Sequence, residues 1–106
     1  MSYKGLGACP GVVVAPAYIT DDLTKEPPKG VILVTYVTSP DIVTWMPNIK
    51  GIVTGRGGVL SHAAVIAREF GIPTVVGCDD ISSLLAHPPR ELMLRIDGST
   101  GEVDIL

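Results

Sequence analysis

Between Gly51 and Gly77 the chain reads GIVTGRGGVLSHAAVIAREFGIPTVVG, a stretch with room for a strand, a helix and a second strand. Gly51 to Thr54 is predicted as a short strand and Gly55 to Leu60 as a loop. Ser61 to Phe70 is predicted as a helix that Gly71 stops. Ile72-Pro73 turns the chain, and Thr74 to Val76 is the next strand. Strand, helix and strand at this spacing predict a compact βαβ crossover with parallel strands, and so an α/β fold.

The flanks fit around that unit. Val12 to Tyr18 is predicted as a strand, and the proline-bearing DDLTKEPPKG after it as a surface loop. VILVTYV is a β-branched run typical of a buried strand. Ser39-Pro40 supplies an N-cap and a first-turn proline for a short helix, Asp41 to Met46. A second helix is expected over Ile81 to Ala86, after Asp79-Asp80. The end, ELMLRIDGSTGEVDIL, reads as two strands around the turn from Asp97 to Gly101.

His62 stands between a glycine-rich loop and a run of small apolar residues. Two phosphate motifs fail there: no glycine-lysine pair follows the loop, and Leu60 occupies the third glycine position of a dinucleotide fingerprint. What remains is physical. Gly57 and Gly58 let the backbone approach a ligand closely or take positive φ. The first N–H groups of the helix lack intrahelical partners and, with the helix dipole, favour an anion. The same positive end disfavours imidazolium, so the ring is expected to stay neutral and nucleophilic near pH 7. After His62 come Ala63, Ala64, Val65, Ile66 and Ala67. A helix apolar on all sides is expected to be a buried strut whose N-terminal tip alone reaches solvent. Spacing by itself leaves His62 open to a capping or packing role as well. Ser61 reads as an N-cap rather than a catalytic hydroxyl, and no acidic neighbour completes a triad.

Composition narrows the class. A chain of 106 residues, 46% apolar and 18% charged, predicts one folded domain over residues 1–106. A net charge of −3 with scattered Lys and Arg argues against a nucleic-acid partner. No apolar stretch reaches the roughly 20 residues that span a bilayer, so no membrane partner is expected. Cys9 and Cys78 form no CxxC pair, which makes a reduced cytoplasmic setting the default. With His62 and His87 they show no metal-ligand spacing, and no metal is expected. His87 is expected in a solvated loop, and Asp79 and Asp80 at the start of a short helix.

The pattern T-x-x-GG-x-x-SHAA-x-x-AR-x-x-GIP-x-VVG, from Thr54 to Gly77, resembles the phosphohistidine signature of the phosphoenolpyruvate-utilising enzymes. These include phosphoenolpyruvate synthase, pyruvate phosphate dikinase, enzyme I of the sugar phosphotransferase system and rifampin phosphotransferase. Weaker likeness extends over GACPGVVVAPAY, VILVTYVTSPD and IDGSTGEVDIL. The resemblance implies a swivelling β/β/α domain of three layers, a mobile carrier of phosphoryl or pyrophosphoryl groups. His62 aligns with the carrier histidine. Thr54, Gly57, Gly58, Ser61, Ala63 and Arg68 are implied to shape the phosphate pocket. Arg68 lies six residues after His62, off its helical face, and is expected to serve the fold or docking before direct phosphate contact.

The resemblance implies no cofactor in this domain, with ATP and magnesium on a partner. The partners implied are a nucleotide-binding, ATP-grasp-like domain and a phosphoenolpyruvate- or acceptor-binding one. Neither is recognisable in this sequence, so the chain is expected to be the carrier alone, cut from a larger enzyme or separately encoded, without turnover of its own. Leu60 departs from the threonine common in dikinases and synthases, and Cys9 from a usual serine. Two other functions stay open: a non-catalytic interaction domain with a buried histidine, and a reversible anion- or nucleotide-binding protein.

Overall fold

A computed structural model of the chain describes residues 2–38, 40–89 and 91–106. The expected N-cap Ser39 lies outside them. The strands are β1 (Ser2–Lys4), β2 (Leu6–Cys9), β3 (Val12–Ile19), β4 (Val31–Thr35), β5 (Ile49–Thr54), β6 (Thr74–Val76), β7 (Met93–Asp97) and β8 (Glu102–Ile105). The described residues form one eight-stranded sheet in the order β1-β8-β7-β3-β4-β5-β6-β2.

The sheet changes character along β3. Its first half, Val12 to Pro16, pairs antiparallel with β7, and its second half, Ala17 to Ile19, pairs parallel with β4. Pro16, which has no N–H to give a ladder, sits at the changeover. On one side lies the antiparallel set β1-β8-β7. On the other lie the parallel strands β4, β5 and β6, with β2 antiparallel at the far edge.

Side-chain alternation shows how these halves stack. Ile32 and Val34 of β4, Val53 of β5 and Val75 of β6 join Leu94, Ile96 and Val103 from β7 and β8 in one buried cluster. The intervening Leu33 and Ile52 point the opposite way, into a second cluster with Ile42, Met46, Ala67 and Ile72. The parallel half is therefore covered on both faces, by strands on one and helices on the other. That is the three-layer β/β/α arrangement expected, with the βαβ unit at its centre.

The helical layer holds α1 (His62–Phe70) and a 3₁₀ segment over Pro40–Asn48. Where a helix from Asp41 to Met46 was expected, the winding is tighter and longer, and it includes Pro47, which cannot donate a helical hydrogen bond. A 3₁₀ turn, Asp79–Ile81, leads into α2 (Ser82–Ala86). His87 is exposed just after it.

One expectation about α1 is corrected. The helix is not buried on all sides: Ala63, Ala64 and Ala67 are buried, whereas Val65 and Phe70 are 43% and 41% exposed. The alanines make one narrow face that settles against β2, β6 and β5. Val65 and Phe70 face solvent, while Ile66 is partly buried against the cluster that holds Met46 and Ile52. Alanine methyls bury little surface, about 0.8 kcal/mol for each methylene-sized group, so polar fixings matter here. Ser61 caps the N-terminus, Gly71 closes the C-terminus in the left-handed conformation, and Arg68 Nε donates to the Ala8 carbonyl of β2 at 2.9 Å.

Cys9 and Cys78 are both buried free thiols. Burial, aided by the Asp80 carboxylate, pushes the Cys78 thiol up to about 11 from an ordinary 9.0. A raised folded value means the protonated thiol stabilises the fold fully below the unfolded value. That contribution, at most about 3 kcal/mol, is lost as pH rises through the window from 9.0 to about 11. The expected result is a fall in unfolding free energy across that window that a Cys78→Ala protein does not share. Native protein is also expected to react with a disulfide thiol reagent only after denaturation.

Candidate functional site

The site forms where neighbouring parallel strands end, the usual place for a binding crevice in a parallel sheet. Beyond Thr35 of β4 and Thr54 of β5 the two chains stay in register. Gly55 N–H donates to the Thr35 carbonyl at 3.0 Å and Arg56 N–H to the Tyr36 carbonyl at 2.9 Å. Each terminal threonine is buried and turns its hydroxyl onto the backbone two residues on. Thr35 Oγ1 donates to the Val37 carbonyl at 3.3 Å, and Thr54 Oγ1 to the Arg56 carbonyl at 2.9 Å. Both loops leave the sheet with fixed roots.

The glycine loop then delivers the chain to α1. Gly57 has φ of 117°, a conformation L side chains rarely adopt, and a Cβ there would come within 3.1 Å of Ser61 Cβ. Gly58 faces open space with no positive φ. Ser61 has the extended backbone of an N-cap, and its Oγ accepts from Ala64 N–H at 3.4 Å. The N–H groups of His62 and Ala63 have no carbonyl one turn earlier within the helix, and they face the loop side.

His62, the first residue of α1, is exposed, and its Nδ1 lies 3.3 Å from Thr38 Oγ1 in the loop after β4. Beside the ring is a cavity of about 120 Å³. Thr38, Thr54, Arg56, Gly57, Ser61 and Ala63 all reach it with His62. Of the residues singled out from sequence, then, Thr54, Gly57, Ser61 and Ala63 gather around the histidine. Gly58 and Arg68 do not line this cavity. Arg68 is turned to β2, where its bond to Ala8 fixes the helix to the sheet. Thr54 is at the cavity, but its hydroxyl proton is already committed to the loop backbone.

Sequence reasoning missed two residues. Thr38 lies in the VILVTYVTSPD segment already noted for its likeness, yet nothing local links it to a histidine 24 residues on. Arg56 stands inside the glycine loop, where a cation next to two glycines was itself a signal. Among the described residues no three His, Cys, Asp or Glu side chains come together as a metal site, and no helix is long and apolar enough to cross a membrane.

The chain is similar to known proteins along most of its length. The family model described as "PEP-utilising enzyme, mobile domain" matches residues 27–101. The phosphoenolpyruvate synthase of Aeropyrum pernix is 41% identical over 103 residues, which cover 94% of this chain and 12% of that protein. The rifampicin phosphotransferase of Bacillus cereus is 38% identical over 105 residues, 96% of this chain and 12% of that protein. The chain thus spans about an eighth of the length of these curated relatives. Among solved structures, the N-terminal domain of Enzyme 1 - Nitrogen aligns with a TM-score of 0.61 and 32% identity over 76% of this chain and 33% of that one. Aconitase X of Thermococcus kodakaraensis, in its holo-form, aligns over 100% of this chain and 98% of that one, with a TM-score of 0.72. At 20% identity that likeness concerns the fold alone.

Proposed function

Because this chain belongs to the family of mobile domains of the PEP-utilising enzymes, we propose that it is a phosphocarrier whose working residue is His62. The observation that carries the reading is the exposed imidazole of His62 at the rim of a small cavity, with Nδ1 within reach of the Thr38 hydroxyl. An interaction domain that had lost transfer would be expected to bury this ring.

The chemistry runs through Nε2. When Nδ1 carries the proton and donates it to Thr38 Oγ1, the lone pair sits on Nε2 and points away from that bond. The Nε2 pair attacks phosphorus, a P–N bond forms, and the donor's P–O bond breaks with its electron pair leaving on the donor oxygen. Nδ1 keeps its proton, so the phosphorylated ring is cationic and remains a good leaving group. An acceptor oxygen then attacks phosphorus and returns the electron pair to Nε2. The His62 and Ala63 amides and the helix dipole favour the negative group while it is attached. These steps are the same for a phosphoryl and for a pyrophosphoryl group.

The donor and acceptor sites belong to partners under this reading: an ATP-grasp-like domain with ATP and magnesium, and a phosphoenolpyruvate- or acceptor-binding domain. The chain alone is not expected to turn over. Two buried free thiols are in keeping with a cytoplasmic setting.

The test is intact-mass measurement after incubation with ATP or phosphoenolpyruvate in an extract of the protein's own cells. The expected product carries one phosphoryl group that acid removes and alkali does not, mapped to His62. An unlabelled, folded protein in an extract that phosphorylates a known carrier would overturn the proposal.

A further inference from the structure

Resting on the phosphocarrier reading of His62, we infer that Arg56 supplies the counter-charge that holds the phosphoryl group against the ring. Among the described residues, the cavity beside His62 is lined by hydroxyl, glycine and small apolar side chains, with Arg56 as its permanent cation and no carboxylate beside it. The root of this residue is pinned on both sides. Its N–H donates to the Tyr36 carbonyl and its carbonyl accepts from Thr54 Oγ1, both at 2.9 Å. Its guanidinium, in contrast, makes no hydrogen bond or ion pair with any described residue. A fixed backbone therefore presents an unengaged cationic head at the place where negative charge arrives.

Electrostatics gives that head a task. The whole chain carries a formal charge of −3, so its overall field opposes an incoming phosphoryl group. A phosphoryl group brings roughly −1.5 to −2 charges and three acceptor oxygens. Helix amides alone offer partial charges, whereas a guanidinium offers a full charge and two parallel donors matched to two phosphoryl oxygens. Arg68, the other arginine of the motif, is held by Ala8 and cannot serve both ends of the helix. The buried hydroxyl of Thr54 acts through Arg56, because it fixes the carbonyl of that residue. The inference thus gives Thr54 a positioning role in place of direct phosphate contact.

The experiment uses potassium phosphoramidate, a small donor that needs no partner protein. Nε2 attacks its phosphorus, the P–N bond to the donor breaks, and the leaving nitrogen departs as ammonia with a proton from water. Exposed His87 is an internal reference in the same molecule. In wild type His62 is expected to be phosphorylated faster than His87. Arg56→Gln should lower that ratio about tenfold, less than an enclosed oxyanion donor would because the head is exposed. Arg56→Lys, which keeps charge and loses the fork, should restore part of it. As a second readout, phosphorus NMR titration of wild type should show the phosphoryl group on His62 ionising at lower pH than that on His87, a difference that shrinks in Arg56→Gln. A ratio unchanged by Arg56→Gln while His62 still outpaces His87 overturns the inference and leaves the carrier reading standing. Equal phosphorylation of the two histidines in wild type overturns the carrier reading, and the inference with it. Should Arg56→Gln fail to fold, equal ionisation of the two phosphohistidines in wild type overturns the role of Arg56.

Discussion

A His62→Asn protein is expected to fold as the wild type does and to accept no phosphoryl group from a partner protein. The side-chain nitrogen of an amide has no basic lone pair, so attack on phosphorus is lost. Transfer should fall by roughly 10⁴-fold or more, to the background of the assay, as when other enzymes lose their nucleophile. Stability should hardly move. His62 is exposed at the first position of α1, outside every buried cluster, and its side-chain contact with Thr38 is itself exposed. Substitutions at such positions stay within about 0.5 kcal/mol, and asparagine can still reach the threonine hydroxyl. The check is a paired measurement of acid-labile label and thermal midpoint. A folded variant that still takes an acid-labile phosphoryl group elsewhere at the wild-type rate would remove His62 from the mechanism.

The largest effect on stability is expected far from the histidine, at Gly98. This residue lies in the turn between β7 and β8 that tucks against β2. Its N–H donates to the Gly11 carbonyl at 2.8 Å, and a Cβ added to it would meet the Cys9 carbonyl oxygen at 1.7 Å. That oxygen is backbone in a strand paired on its other side with β6, so it cannot simply step away. Gly98→Ala must separate the antiparallel half of the sheet from β2. We expect a loss of about 4 kcal/mol or more, a large share of the roughly 5–15 kcal/mol that holds a domain folded. The thermal midpoint should drop by roughly 4–8 °C for each kcal/mol lost. Gly58→Ala is the control, because an added Cβ there meets nothing within 4 Å and φ is not positive. Equal midpoints for the two variants would show that the turn yields more easily than its geometry implies.

The βαβ unit was legible because its boundaries are written in local chemistry. Ser61 caps α1, Gly71 stops it, and β6 lies between Pro73 and Gly77, over the three residues expected. β1 and β2 were not legible. SYK and LGAC show neither β-branched runs nor alternation, and they are strands because β8 and β6 offer them unpaired edges. The run VILVTYV promised a longer strand than β4 provides, since Thr35 bonds to the Val37 carbonyl and turns the chain out of the sheet.

The site divides along the same line. His62, Gly57 and Ser61 sit close together in sequence, so their meeting could be anticipated. Thr38 meets His62 only because β4 and β5 lie side by side. Arg68 shares the motif with His62, but helical rotation carries it to β2. The solvent-facing side of α1 was misjudged for a related reason. Composition says that Val65 and Phe70 are apolar, whereas only packing says that the inward face of α1 is filled by three alanines and part of Ile66.

The antiparallel pairing of β1 with β8 places Ser2 across from Asp104. The first and last strands therefore share one edge of the sheet, on neighbouring lines. β1 has one ladder, to β8, whereas β8 keeps a second one, to β7. That edge can therefore open one strand at a time, and fraying of β1 leaves the remaining ladders of the sheet paired.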